Sequence, residues 1–392
     1  MQQGEKAIIL KKGKEKPIRN KHHWIFSGAI ESVPHEGNGK VFPVHSYEGQ
    51  LLGSAYLNHK ASIRARMLSF NATPPDIALK EALQEAIALR KRGIDQKKTN
   101  AFRLVNGEGD RLPGLIVDQY DKFLVLQFGT LGMQQLKEDI VAHLKRLVNP
   151  LGIYEKSILP SRKEEGLKDY QGWIGDKGED EVEILENELL FKVSLSEGQK
   201  TGFFLDQREM RQKIKSLSHQ KKVLNCFAYT GAFSVYAAAG GATQVDSIEI
   251  SSKALEMAKV NMALNGFTSA SNGYFEADVF TFLRESSLDY NLIVIDPPAF
   301  AKRQKDVVAA CRGYKDINRI AFQKVNPGSF LLTCSCSYFV DETLFQQVIF
   351  QAAAEAGRKV KIIGRHQLAI DHPINIFHPE GDYLKSLLLY ID

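Results

Sequence analysis

The sequence predicts an α/β fold: an open, mostly parallel sheet in the second half of the chain, preceded by a β-rich domain and a small α+β domain. Three observations carry that prediction. From Val223 onward, apolar strand-like runs alternate with helical ones, the pattern of a sheet covered by helices on both faces. Residues 222–249, KVLNCFAYTGAFSVYAAAGGATQVDSIE, read as strand, glycine-bearing turn, small-residue helix and a second strand ending in a carboxylate. Residues 1–72 break instead into short strand candidates separated by Gly and Asn turns.

The composition is that of an ordinary globular protein. With 392 residues, two or three domains are expected. Hydrophobic content of 44% and charged content of 25% exclude disordered, fibrous and membrane-spanning classes. The net charge of +5 permits a nucleic-acid partner without requiring one. Lys6, Lys11, Lys12, Lys14, Lys16, Arg19 and Lys21 cluster against only Glu5 and Glu15, as a basic patch or as a solvated loop face. No secretory leader and no bilayer-spanning run is visible. Four cysteines without a C-x-x-C pair argue against a disulfide framework and structural zinc, so a reduced, cytoplasmic protein with no metal is expected.

In chain order, residues 7–10, 40–44, 51–57 and 62–67 are strand candidates, and Asn71-Ala-Thr-Pro-Pro75 is a linker. Asp76 is expected to cap a helix that Gly93 stops. Residues 112–120 and 123–130 alternate around Asp121-Lys122 as a hairpin, and 133–148 is a second amphipathic helix. Residues 103–110 read as a plain turn or a surface loop, and Arg162, Lys163, Glu164, Glu165 and Lys168 as a charged loop. Residues 183–185 and 189–195 form another hairpin, followed by TGFFLDQR (201–208). That string is either a hydrophobic staple with an N-cap at Asp206 or a wall of a ligand pocket containing Thr201 and Phe204. The expected domains are 1–72, 73–190 and 191–392.

In an open α/β sheet, ligands bind beyond the carboxyl ends of the strands. That rule gathers Gly231, Glu249, Asp278, Asp296 and Cys336, each just past a predicted strand. The loop Asn225-Cys226-Phe227-Ala228-Tyr229-Thr230-Gly231 has one glycine, so it lacks the bare amides that a pyrophosphate needs. It suits a nucleoside without phosphates, of which S-adenosylmethionine is the common one; a dehydrogenase reading ranks last. Glu249 would accept the ribose hydroxyls, Asp278 and Val279 would address the adenine, and Asp296 would lie by the methyl group.

The D-P-P segment 296–298 imposes an extended exit and removes two amide donors. Ala299 and then Phe300 follow, where amino-methylating enzymes usually place a base-stacking aromatic directly. Cys336 suggests a different chemistry. A thiolate adding to carbon 6 of a pyrimidine makes carbon 5 nucleophilic. Asp296 would hold the pyrimidine edge and donate to ring nitrogen 3. The alternative is a structural Cys336, since free cysteines are often buried. The last two strands, 359–363 and 383–391, are joined by a loop too short for a helical crossover, so the final strand should run antiparallel.

KHHWIFSGAI (21–30), KVFPV, GSAYLN and SIRARML resemble an RNA-binding PUA domain. GQKTGFFLDQR, VLNCFAYTGAFSVYA, DPPAFAK, ACRGYKDIN, SCS and HPEGDYLK resemble the Rossmann-like class I domain of the bacterial 23S rRNA (cytosine-carbon-5) methyltransferases that carry a PUA domain. The resemblance spans almost the whole chain. It implies S-adenosylmethionine as methyl donor, Cys336 as nucleophile and Asp296 beside it. It also implies 23S rRNA or a precursor large ribosomal subunit as partner, no membrane, and leaves a homodimer open. Asn225, Phe227, Tyr229 and Thr230 are expected to line the cofactor with Gly231. Cys311 is a candidate for the base in product release. Lys302, Arg303, Lys305, Arg312 and Lys315 would meet phosphates, and His372, His378, Tyr383, Leu384 and Lys385 would either line the rim of the base pocket or form a structural loop.

Overall fold

The computed structural model describes residues 7–392, so Lys6 and Glu5 of the basic cluster lie outside the described residues. The chain forms two compact units. The first takes residues 7–187, Val193–Asp206 and a late segment, Ala369–Gly381; the second takes Glu188–Lys192, Gln207–Leu368 and Asp382–Asp392.

The first unit opens with β1 (Ile8–Leu10), the short helix α1 (Lys16–Arg19), β2 (Trp24–Phe26), β3 (Ile30–Ser32), β4 (Val41–His45), β5 (Leu51–Leu57) and β6 (Ile63–Ser69). These pair as one sheet in the order β2-β6-β5-β4-β1-β3 around a core including Ile8, Val44, Leu57 and Met67. The strands β2 and β3 escape the sequence pattern because each is three residues long, too short to show alternation. Lys11, Lys12, Lys14, Lys16, Arg19 and Lys21 are all exposed.

Next come α2 (Pro75–Gly93), β7 (Ala101–Asn106), β8 (Leu115–Tyr120), β9 (Phe123–Phe128), α3 (Leu131–Gln135), α4 (Lys137–Val148), β10 (Gly152–Ser157), α5 (Pro160–Glu164), β11 (Tyr170–Trp173) and β12 (Glu181–Glu186). A five-stranded sheet, β11-β10-β9-β8-β7, packs on α2 and α4 through Leu83, Ile87, Leu126, Ile140 and Leu144. Four expectations are corrected here. Pro74, not Asp76, is the N-cap of α2, and Asp76 sits in the first turn, where its charge complements the helix dipole. The second helix is two helices, broken at Leu136. Residues 101–106 are a strand rather than part of a surface loop, and Arg103 and Asp110 are buried, paired with Asp118 and Arg90 respectively. Arg162 and Glu165 are likewise buried: Glu165 accepts from Arg66 at 2.6 Å and from Asn58 at 2.7 Å.

The second unit begins with part of β13 (Leu189–Ser194) and then alternates regularly: α6 (Arg208–Leu217), β14 (Lys222–Cys226), α7 (Ala232–Ala239), β15 (Gln244–Glu249), α8 (Ser252–Leu264), β16 (Tyr274–Glu276), α9 (Val279–Glu285), β17 (Leu292–Ile295), α10 (Val307–Lys324), β18 (Ser329–Ser335), α11 (Glu342–Glu355), β19 (Val360–Arg365) and β20 (Lys385–Ile391). The sheet order is β16-β15-β14-β17-β18-β20-β19, and β20 runs antiparallel to both of its neighbours. The expected reversal of the last strand is therefore present. Leu292–Ile295 is buried throughout, as a central parallel strand must be. Its core includes Phe345, Ile317 and Leu389, each fully buried; such a side chain contributes roughly 1.5–3 kcal/mol. The capping of α6 differs from expectation: Gln207 holds the N-cap position, and Asp206 instead accepts from Lys200 at 2.6 Å within the first unit.

Candidate functional site

The carboxyl ends of β14, β15, β17 and β18 define the site. Beyond β14 the chain makes an unusual loop. Phe227, Tyr229 and Gly231 all take left-handed backbone, at φ of 59°, 48° and 77°. For two aromatic residues this is a strained conformation, and such strain collects at ligand sites. The loop is held by main-chain bonds: Ala228 N–H donates to Ile248 C=O at 2.9 Å and Gly231 N–H to Ala228 C=O at 2.8 Å. Asn261 of α8 donates to Thr230 C=O at 2.8 Å. A Cβ on Gly231 would meet Ala258 Cβ at 2.7 Å, so glycine is required both by φ and by the close helix.

Glu249 stands at the end of β15. Its Oε2 accepts the Tyr229 N–H at 2.9 Å and its Oε1 accepts the Ser251 N–H at 3.0 Å. Each oxygen keeps a further lone pair, so the carboxylate is fixed in place with two acceptors to offer a diol. Asp278 caps α9 through Thr281 N–H at 2.9 Å, and the Val279 side chain is buried beneath it. Asn225 and Thr201 are buried and make internal hydrogen bonds. Asn225 donates to Ser234 at 2.9 Å inside the sheet-helix layer. Thr201 belongs to the first unit, where it is fully buried and donates to Asp118 at 2.6 Å while its oxygen contacts the Tyr120 hydroxyl at 2.8 Å. Phe204, in the same unit, lies under the Lys200 ammonium at 4.5 Å.

The D-P-P and S-C-S segments are stitched together. Ala301 N–H donates to Ser337 Oγ at 3.0 Å, and Tyr314 shares a 2.9 Å bond with the same hydroxyl. The Cys336 thiol reaches the Pro297 carbonyl at 3.8 Å, one of the carbonyls that the proline pair frees. Asp296, half-buried, accepts from Gln207 Nε2 at 3.0 Å. Cys336 is half-buried whereas Cys334 is fully buried, and burial with the Asp296 carboxylate beside it pushes the Cys334 thiol well above its usual range. Cys334 is thus held protonated. Burial also raises the Cys311 thiol. Phe300 packs on Tyr314, with ring centroids 4.7 Å apart, so its face is engaged in the core.

Sequence reasoning assigned no role to Gln207, although its string TGFFLDQR was singled out. It placed Lys385 on a rim or in a structural loop. Lys385 is buried, and its ammonium donates to Ser337 C=O at 2.8 Å and Tyr383 C=O at 2.6 Å. His372 and His378 are both buried in the first unit, as the structural-loop alternative expects. His372 bonds Asp371 at 3.1 Å, and His378 lies tilted against His22 with ring centroids 4.6 Å apart. His22, His378 and Glu380 bring ligand-type atoms within 4.8 Å. The Trp24 main-chain N–H donates to His22 Nδ1 at 3.2 Å, which leaves Nε2 to donate to Glu380 at 3.2 Å, while His378 Nδ1 and Glu380 Oε2 lie 3.6 Å apart with no hydrogen-bond partner among the described residues. Of the expected phosphate contacts, Lys302, Lys305 and Arg312 are exposed, Arg303 pairs with Asp306 at 3.1 Å, and Lys315 pairs with Glu355 at 2.7 Å.

This geometry can be set beside known proteins. Residues 167–371 match the S-adenosylmethionine-dependent methyltransferase family and residues 8–70 a PUA-like domain. The chain is 40% identical over 390 residues to ribosomal RNA large subunit methyltransferase I of Vibrio vulnificus, covering 97% of this chain and 98% of that one. It is 41% identical over 391 residues to the protein of the same name from Vibrio cholerae, with the same coverage. A crystal structure assigned as a methyltransferase, complexed with SAH, superposes with a TM-score of 0.84 at 25% identity, covering 98% and 99% of the two chains. Among the described residues no helix is long and apolar enough to cross a membrane. The chain belongs to the ribosomal RNA large subunit methyltransferase I family of S-adenosylmethionine-dependent enzymes.

Proposed function

We propose that this enzyme methylates carbon 5 of a cytosine in 23S rRNA, as free RNA or in a precursor large subunit, through a covalent adduct with Cys336. Residues 1–72 serve as a PUA-like RNA-binding domain, 73–190 as a central domain and 191–392 as the methyltransferase domain. The reaction takes place in the cytoplasm. The observation that carries this reading is the pairing of a half-buried Cys336 with the Pro297 carbonyl, directly beside Asp296.

S-adenosylmethionine supplies an electrophilic methyl group on a sulfonium. The residues present suit it: Glu249 offers two oriented acceptors for a ribose, and the strained, single-glycine loop at 227–231 offers no phosphate cradle. Phe227, Tyr229, Thr230 and Gly231 would hold the nucleoside, with Asp278 and Val279 near the adenine. Cys336 adds its sulfur to carbon 6, forming a carbon–sulfur bond while Asp296 protonates ring nitrogen 3. Carbon 5 then takes the methyl group. Loss of the carbon-5 proton to a base, with the nitrogen-3 proton returned to Asp296, restores the ring and expels the Cys336 thiolate.

Methylation of a purine nitrogen is the competing reading, and the order after the proline pair disfavours it because Ala299, rather than an aromatic, follows Pro298 directly. Replacing Cys336 by Ser separates the two. Mass spectrometry of nucleosides from rRNA treated with C336S should find no 5-methylcytidine, with S-adenosylmethionine binding retained. Undiminished methylation by C336S would overturn the mechanism. Absence of cofactor binding by the wild-type chain would instead favour an inactive RNA-binding assembly factor.

A further inference from the structure

Lys385 opens β20 directly opposite Ser335, the last residue of β18. It is 8% exposed, and burial of an ammonium is costly unless something compensates it. The nearest compensation is polar rather than ionic: the carbonyls of Ser337 and Tyr383 take two of its three hydrogens. Ser337 directly follows Cys336, so the cation is pinned one residue from the proposed nucleophile. The sulfur itself reaches the Pro297 carbonyl at 3.8 Å.

We propose that Lys385 is the positioning residue that makes Cys336 nucleophilic: its fixed ammonium favours the thiolate over the thiol, and its bonds to the flanking carbonyls hold the S-C-S turn. This rests on Cys336 being the attacking group. A cation close to a sulfur lowers the thiol pKa because it stabilises only the charged form. Other groups act on the same region. Asp296 and Cys336 both push the Cys334 thiol up; Cys336 pushes the Tyr314 hydroxyl of α10 up; Asp382 and Asp341 act on the lysine more weakly than Cys336 does. The lysine itself is pulled down by burial and pushed up by Cys336, as the two halves of one interaction require. The contrast with Cys334 fits: two residues earlier, fully buried beside Asp296, that thiol is driven up.

The test uses the full-length protein. The rate of Cys336 alkylation by iodoacetamide is measured against pH, located by peptide mass spectrometry, in wild type, K385M, K385Q and K385R. The midpoint should rise by about one pH unit or more in the two neutral variants, a tenfold loss of thiolate at neutral pH, and stay near wild type in K385R. K385Q keeps donors for the carbonyls, so it guards against a packing failure in K385M, and cofactor binding by calorimetry verifies folding. If neither neutral variant folds, a rise of one pH unit in K385R overturns the proposal. Superposable wild-type, K385M and K385Q profiles also overturn it. Should the midpoints shift while C336S still methylates, the nucleophile reading fails and the electrostatic coupling stands; should C336S be inactive with no shift, the lysine role alone fails.

Discussion

In the first unit, charge is spent on structure. Arg90 pairs bidentately with Asp110 at 2.6 and 2.7 Å, Arg103 with Asp118 at 2.8 Å, and Arg66 with Glu165 at 2.6 Å, all out of solvent. Asp371, from the late segment, accepts the Arg103 N–H at 2.9 Å and so ties residues far apart in sequence into one packing. In the second unit several ion pairs lie at the surface, as Lys315–Glu355 and Arg319–Asp316 do at 2.7 Å each, although the buried Arg208 also reaches Glu209 at 3.6 Å. At the strand ends of that unit, half-buried polar groups are bonded to neutral neighbours: Glu249 accepts two main-chain N–H groups, Asp296 accepts from Gln207, and the Cys336 thiol reaches the Pro297 carbonyl. Charges matched inside a core fix a shape, whereas polar groups oriented at strand ends can serve a ligand.

The largest test of that contrast is Asp110→Ala. It leaves the fully buried Arg90 guanidinium facing no carboxylate and should cost about 3–5 kcal/mol in denaturant unfolding. A loss under 1 kcal/mol would mean that the first unit does not depend on its buried pairs.

Acid should act on the same unit. Burial pushes the pKa of His23 down from 6.5 to about 4, with Nδ1 bonded to the Met67 carbonyl at 3.0 Å. The folded value lies below the unfolded one, so between those pH values the unfolded chain binds the extra proton. The contribution of His23 is therefore intact above pH 6.5 and is lost as pH falls toward 4, by an amount on the order of 3 kcal/mol. His23→Gln should flatten that part of a stability–pH curve; an unchanged slope would assign it to other groups.

At the sheet edge the readout is binding rather than stability. Glu249→Ala should weaken S-adenosylmethionine by roughly 10–100-fold in calorimetry, since two charge-assisted acceptors are lost. Equal affinity would move the ribose site elsewhere. The smallest effect is expected for Lys315→Ala, which opens a surface pair and should change stability by no more than about 1 kcal/mol.

Much of the second unit was legible because its signals are local. The two central apolar strands, the reversal of the last strand and the carboxylates placed just past strand ends all follow from period and position. The first unit was harder. Strand β7 contains Arg103 and adjoins Gly107-Glu108-Gly109-Asp110, a composition that reads as loop until the partners Asp118, Arg90 and Asp371 are known. Arg162 and Glu165 looked solvated for the same reason. Lys385 was obscured differently: nothing in HPEGDYLK tells that the lysine is buried, because its place is set by pairing with β18. Thr201 shows the reverse difficulty, a polar residue in a pocket-like string whose hydroxyl donates internally to Asp118.

The most direct test of the central claim is trapping on RNA in which cytidine is replaced by 5-fluorocytidine. With fluorine at carbon 5 the last elimination cannot proceed, so incubation with S-adenosylmethionine should leave a stable protein–RNA complex whose peptide mass maps to Cys336 and which C336S does not form. Methylated RNA released without any such complex, or attachment at Cys311 or Cys334, would contradict the assignment of Cys336 as the attacking sulfur.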